Sequence, residues 1–178
     1  MTVTFKGNKD LIRQDIVAVI GSRDTSKEAL QNAYRYSARL AESGVVIANG
    51  LAIGIDTEAV KGALSVHGKV IAVLPSSLTN IYPYRNRELA EDIIANGGLL
   101  ISQFATNTIE KRNFIERDIT LANLANKVVV VDCKENSGTM YAVKRAITLG
   151  KPVEYLGEKK EFLDTLGCKQ ITKSERKQ

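Results

Sequence analysis

The sequence predicts an α/β fold, a parallel sheet covered by helices on both faces within one domain, and three observations carry that expectation. Short β-branched apolar runs alternate along the chain with longer stretches whose apolar residues recur at helical spacing, the pattern of repeated βαβ units. Most of the short runs are apolar at every position, as strands buried on both faces of a parallel sheet are. At 178 residues the chain has the length of a single domain. The plan is Rossmann-like over residues 1–167. The ending at 168–178 is basic, lacks apolar periodicity and reads as a flexible, solvated tail.

The expected strands are IVAVI (16–20), VVIAN (45–49), VIAVL (70–74), LLISQ (99–103), VVVVD (128–132) and PVEYL (152–156). Between the first two, Ala29, Ala33, Tyr36 and Leu40 fall on one helical face, with Thr25 and Glu28 offering a capping box ahead of them. Later helices are expected over 57–66, 86–96, about 110–125 and 139–149, with a short one near 159–166. Gly44, Gly68, Gly97 and Gly150 punctuate the helix-to-strand junctions. Right-handed crossovers then bring every strand-to-helix loop to one edge of the sheet, where ligands of open α/β sheets bind.

Composition narrows the function classes. The chain is 44% hydrophobic with three prolines, an ordinary globular balance. Charges interrupt every apolar stretch of the opening MTVTFKGNKDLIRQD, so neither a signal peptide nor a membrane span is expected, and a cytoplasmic location follows. Cys133 and Cys168 lie far apart without metal-ligand spacing. The net charge of +5 permits a polyanionic partner without requiring one.

The loops after the strands hold the chemistry. Gly21-Ser22-Arg23 follows the first strand, Asn49 and the run from Gly50 through Gly54 to Asp56 the second, and Asn136-Ser137-Gly138-Thr139 the fifth. Glycine lets a ligand approach the backbone, helix-start N–H groups attract anions, and Arg23 adds a bidentate cation, so phosphate is the natural guest. Taken singly, each glycine also suits an ordinary turn, and Asp56 or Thr139 a helix cap. Three such loops on one edge favour a ligand site.

Neither GxGxxG after the first strand nor GxxxxGK[ST] anywhere is present, which disfavours NAD and a P-loop, and no cofactor is expected. Asp56 and Asp132 are candidate cleft carboxylates, with capping as their alternative role. His67, beside Gly68, reads as a surface or capping residue. Tyr82, Tyr84, Arg85 and Arg87 surround Pro83 in a loop suited to stacking on bases and meeting phosphates, or to packing alone.

Read together, these segments resemble the DNA-processing family DprA, also called Smf, of the broad SLOG superfamily. Its members run GSR, SGLARGID, GAL, TIAVLG, YP, LLSE, FPxRNR and SGSLITA in that order. This chain has GSR (21–23), NGLAIGID (49–56), GAL (62–64), VIAVLP (70–75), YP (82–83), LLISQ (99–103), FIERDI (114–119) and SGTMYAV (137–143). The resemblance implies a single-stranded DNA binder acting in DNA processing, natural transformation or recombination, helping to load a RecA-type recombinase, and able to form a homodimer. It implies DNA-backbone contacts from Arg23 and from Arg117 of the FxxR segment.

The departures are specific. Ile53 stands for the arginine of LARGID, Val60 for a histidine, Gln103 for a glutamate, and Asp118-Ile119 for the Asn-Arg pair. The expectation is a non-enzymatic DNA binder in which Gly21, Ser22, Arg23, Asn49, Gly50, Gly54, Asp56, Arg85, Arg117, Ser137, Gly138 and Thr139 meet phosphate. A domain sensing a nucleotide-derived ligand is the alternative. A phosphoribohydrolase with Asp56 or Asp132 as base comes third, because its PGGxGTxxE motif is only faintly echoed by ENSGTMYAV (135–143).

Overall fold

A computed structural model describes residues 3–106, 108–172 and 175. The first expected strand, β2 (Ile16–Ile20), is the hub of the sheet. Chain growth runs from it to β3 (Val46–Asn49), β4 (Val70–Leu74) and β5 (Leu99–Ser102) on one side. On the other side lie β6 (Lys127–Val130) and β7 (Val153–Tyr155). These strands are mutually parallel. Two more close the edges: β1 (Thr4–Gly7) pairs antiparallel with β5, and β8 (Lys169–Gln170) pairs parallel with β7. Both are short, and β1 is largely exposed, so neither carries the apolar run that marks the buried strands.

Pleat alternation builds the two layers of core. In β2, Ile16, Ala18 and Ile20 face one layer while Val17 and Val19 face the other. The second layer belongs to α1 (Lys27–Glu42), α2 (Ile55–Ser65) and α3 (Arg87–Ala95), through residues such as Ala33, Tyr36, Ala59 and Ile93. The first belongs to α4 (Lys111–Leu124), α5 (Thr139–Thr148) and α6 (Glu161–Thr165), through Leu121, Val143 and Leu163. Among the described residues no helix is long and apolar enough to cross a membrane.

Three local expectations are corrected. The N-cap of α1 is Ser26, whose hydroxyl accepts from the Ala29 N–H at 3.1 Å; Thr25 instead donates to Asp132 at 2.6 Å, drawn away by that charged acceptor. After α2 the left-handed turn is made by His67 (φ 57°) rather than by Gly68, which a Cβ would press against Ala41. The ordered sheet passes the boundary expected at 167, because Cys168 and Ile171 bury their side chains and carry Lys169–Gln170 into β8. Beyond it, residues 173, 174 and 176–178 lie outside those described.

Candidate nucleic-acid interface

Because the chain progresses in opposite directions on the two sides of β2, the loops leaving β2 and β6 diverge, the arrangement that opens a crevice at strand carboxyl ends. A cleft of about 650 Å³ lies there, lined by residues of the β2 loop, the β6 loop and α4. The two loops are also tied together: the Ser22 N–H donates to the Asp132 carbonyl at 2.8 Å, and the Asp132 carboxylate takes Thr25 on one oxygen and Lys160 on the other at 3.1 Å. Burial works to raise the Asp132 carboxyl, but the hydrogen bonds from Thr25 and Lys160 prevail and hold it below its ordinary value. Asp132 is thus a strut behind the cleft.

Of the residues expected to meet phosphate, Gly21, Ser22, Arg23, Asp56, Arg117, Ser137, Gly138 and Thr139 line the cleft. Gly138 is open, since a Cβ there would meet nothing within 4 Å. It caps α5 without any side-chain hydrogen bond, and the Ser137 hydroxyl beside it is buried with no partner among the described residues. Arg23 is exposed at the mouth, its guanidinium 4.9 Å from the centre of the Phe114 ring.

Asn49, Gly50, Gly54 and Arg85 do not line it. Asn49 is fully buried, donating to the Asp56 carbonyl at 2.9 Å and accepting from the Leu51 N–H at 3.0 Å, so it fixes the loop after β3. Gly54 adopts φ 82° where that loop crosses under Ser22 and Arg23, and a Cβ would lie 2.5 Å from both carbonyl oxygens. Gly50 is covered by Arg117. Arg85 is exposed on the proline loop. In that loop Tyr82 packs edge-on against Phe114 at 5.8 Å, whereas Tyr84 is 74% exposed with Arg87 over its ring at 4.9 Å. Asn86 anchors the segment by donating to the Leu51 and Ala52 carbonyls and to the Thr57 hydroxyl.

The floor of the cleft is a buried charge cluster. Arg117, 5% exposed, has Nη1 3.9 Å from Asp56 Oδ2 and Nε 2.8 Å from Asp118 Oδ1. Among the described residues neither nitrogen has a hydrogen bond directed at an acceptor. Asp56 turns back to accept from the Gly50 and Ala52 N–H groups at 3.1 and 3.2 Å. Burial nonetheless pushes its carboxyl up to about 6, against the pull of Arg117 and those two N–H groups. Burial also raises Asp118, with Arg117 and Arg23 pulling the other way.

Around the whole cleft the cations Arg23, Lys111, Arg117 and Lys134 are matched by Asp24, Asp56, Glu110 and Asp118. The expectation had not picked out Phe114, Lys111 or Asp118 as lining residues. Their spacing was a signal: Lys111, Phe114 and Asp118 lie three and four apart, one face of α4.

Several known proteins are similar to this chain. A family described as DNA recombination-mediator protein A matches residues 1–177. The DNA processing protein DprA of Streptococcus pneumoniae is 37% identical over 150 residues, 84% of this chain and 52% of that protein. Protein Smf of Escherichia coli is 36% identical over 138 residues, 77% of this chain and 37% of its own. The chain therefore spans about half the length, or less, of these curated relatives.

Among solved structures, the X-ray structure of Streptococcus pneumoniae DprA superposes with a TM-score of 0.88 at 32% identity, covering 98% of this chain and 64% of that one. DprA from Helicobacter pylori, solved for its single-stranded DNA binding mode, gives 0.86 at 27% identity, covering 95% and 81%. A molybdenum cofactor carrier protein from Chlamydomonas reinhardtii, at 24% identity and a TM-score of 0.65 over 90% of each chain, shares the fold alone.

Proposed function

The chain belongs to the DNA recombination-mediator protein A family, and on that premise we propose that its cleft binds single-stranded DNA, as a non-enzymatic step in DNA processing, uptake or recombination that passes the strand to a RecA-type recombinase. The observation that carries this reading is Arg23, an exposed guanidinium stacked on Phe114 at the cleft mouth. It stands beside the side-chain-uncapped start of α5 at Ser137, Gly138 and Thr139. Phosphate is held there by the cation and by helix-start N–H groups, while Phe114 and Tyr82 offer rings for base stacking. The candidate catalytic carboxylates are occupied otherwise: Asp56 braces backbone N–H groups and Asp132 braces Thr25 and Lys160. The proposed function includes pairing of two copies, read by sedimentation of the free and DNA-bound protein.

A second reading, one nucleotide-derived small molecule in the same cleft, is favoured by the matched cations and acids and by the apolar Ile53 in the small pocket that shares Arg23, Ala52, Phe114 and Arg117 with it. Fluorescence anisotropy of a labelled single-stranded oligonucleotide, titrated at several salt concentrations with mononucleotide competitors, separates the two. Binding that weakens steeply with salt and falls in Arg23→Ala supports backbone recognition. Absence of binding at low salt rejects the DNA reading, and saturation by one mononucleotide in its place establishes the second.

A further inference from the structure

The cleft presents an ionic acceptor where a phosphate-binding groove has no use for one. Asp118 lies on the face of α4 that lines the cleft, one helical turn from Phe114, with a side chain 14% exposed. Its Oδ1 rests 2.8 Å from Arg117 Nε, and among the described residues no protein donor is recorded for Oδ2. Arg117 is packed against Gly50 and shared with Asp56, which ties it to the cleft floor. The guanidinium therefore holds Asp118 at the cleft floor as an ion-pair partner, without an aligned hydrogen bond. A carboxylate so held repels phosphate and accepts only from donors.

In a single strand the Watson–Crick edges of the bases are free to supply those donors. Guanine offers two adjacent donors, N1–H and the N2 amine, which match a carboxylate. Cytosine and adenine each offer one amine. Thymine offers one N–H between two carbonyl oxygens that oppose the charge. The ring needed to seat such a base is adjacent, in Phe114 with the central carbon of Arg23 over it at 4.9 Å.

We propose that Asp118 makes this cleft selective for guanine, the base docking beside Phe114 with its N1–H and N2 amine donated to the Asp118 carboxylate. The inference rests on the single-stranded DNA reading and goes further, since that reading requires only backbone and stacking contacts. Arg117 is here a positioning residue, and Asp118 is the specificity-determining one.

The test is anisotropy binding of a labelled thymidine dodecamer and of the same strand with one central thymine replaced by guanine or by hypoxanthine, to the wild type and to Asp118→Asn. The wild type is expected to prefer the guanine strand over the all-thymine strand at least about fivefold, the lower range of discrimination for a bidentate base contact. Hypoxanthine, which keeps N1–H and lacks the N2 amine, is expected to fall between. In Asp118→Asn the preference is expected to shrink to within about twofold while all-thymine binding is kept or strengthened, since a repulsive charge has gone. A thermal melt of the variant reports its folding.

Equal binding of all three strands by the wild type overturns the selectivity and leaves the DNA reading standing. A guanine preference retained in folded Asp118→Asn overturns the assignment to that residue. Binding of none of the strands overturns the DNA reading and this inference together.

Discussion

The Arg117 guanidinium lies directly against Gly50: a Cβ built on that glycine would sit 0.9 Å from Nη1 and 2.0 Å from the central carbon. Gly50, expected from sequence to meet phosphate, is the seat of a buried arginine and lines the small pocket beside Arg23. Gly50→Ala is expected to eject the guanidinium from its site, stranding Asp56 without its cation. The loss of an anchored buried contact of this kind costs on the order of 1–3 kcal/mol, read by urea unfolding. Because Arg117 lowers the Asp56 carboxyl, its departure should also carry Asp56 above about 6, visible in a carboxyl-carbon NMR titration. An unshifted Asp56 would show that the arginine has stayed in place.

Asp56 has a stability consequence of its own. Its folded value of about 6 lies above the ordinary 3.8, so the folded state holds the proton more tightly than the unfolded chain. The contribution to stability is fully present below about pH 4 and is lost as the pH rises through 6. Asp56→Asn has no such proton, so its stability relative to the wild type should improve steadily from about pH 4 to pH 7. Urea midpoints for both proteins across that window check the slope, and parallel curves would contradict it.

Asp132 runs in the opposite sense. Its carboxyl is held below its ordinary value, so its contribution is present above about pH 4 and is lost as the pH falls through the depressed value. Thr25→Val removes the 2.6 Å hydrogen bond and should lower stability most near neutral pH, the deficit against the wild type shrinking as the pH falls below about 4 and Asp132 takes up its proton in both proteins, read from urea midpoints at each pH.

Asn86 ties the proline loop to the loop after β3 through three acceptors on its amide nitrogen. Asn86→Ala leaves those buried groups short of a donor and should cost about 1–3 kcal/mol. Hydrogen exchange should speed up around Leu51 and Tyr84 before the rest of the sheet opens.

For the interface itself, Arg23→Ala should flatten the dependence of oligonucleotide affinity on salt by about 0.7 in the log–log slope, the share of one phosphate contact on a single strand. An unchanged slope would remove Arg23 from the backbone contacts.

The sequence by itself determined the sheet and its coverage. Each inner strand announces itself by an unbroken apolar run, because both its faces are buried, and each long helix by one apolar stripe. Those signals are local, and so were the loops after β2, β3 and β6, which follow once the strands are placed. The edge strands β1 and β8 stayed silent, since a short strand open to solvent carries no such run.

Only the tertiary structure decided which loop residues line the cleft and which face one another. Gly50 and Asn49 look like Gly138 and Ser137 in sequence, yet the first pair is packed under Arg117 and against Asp56 while the second opens onto the cleft. Arg117 likewise differs from Arg23 only in what surrounds it: Asp56, Asp118 and Gly50 enclose the first, and solvent receives the second. The physical reason is that burial and the charges of neighbours set what an ionic side chain can do. Those neighbours converge from helices α2 and α4, about sixty residues apart along the chain, where no local periodicity records their meeting.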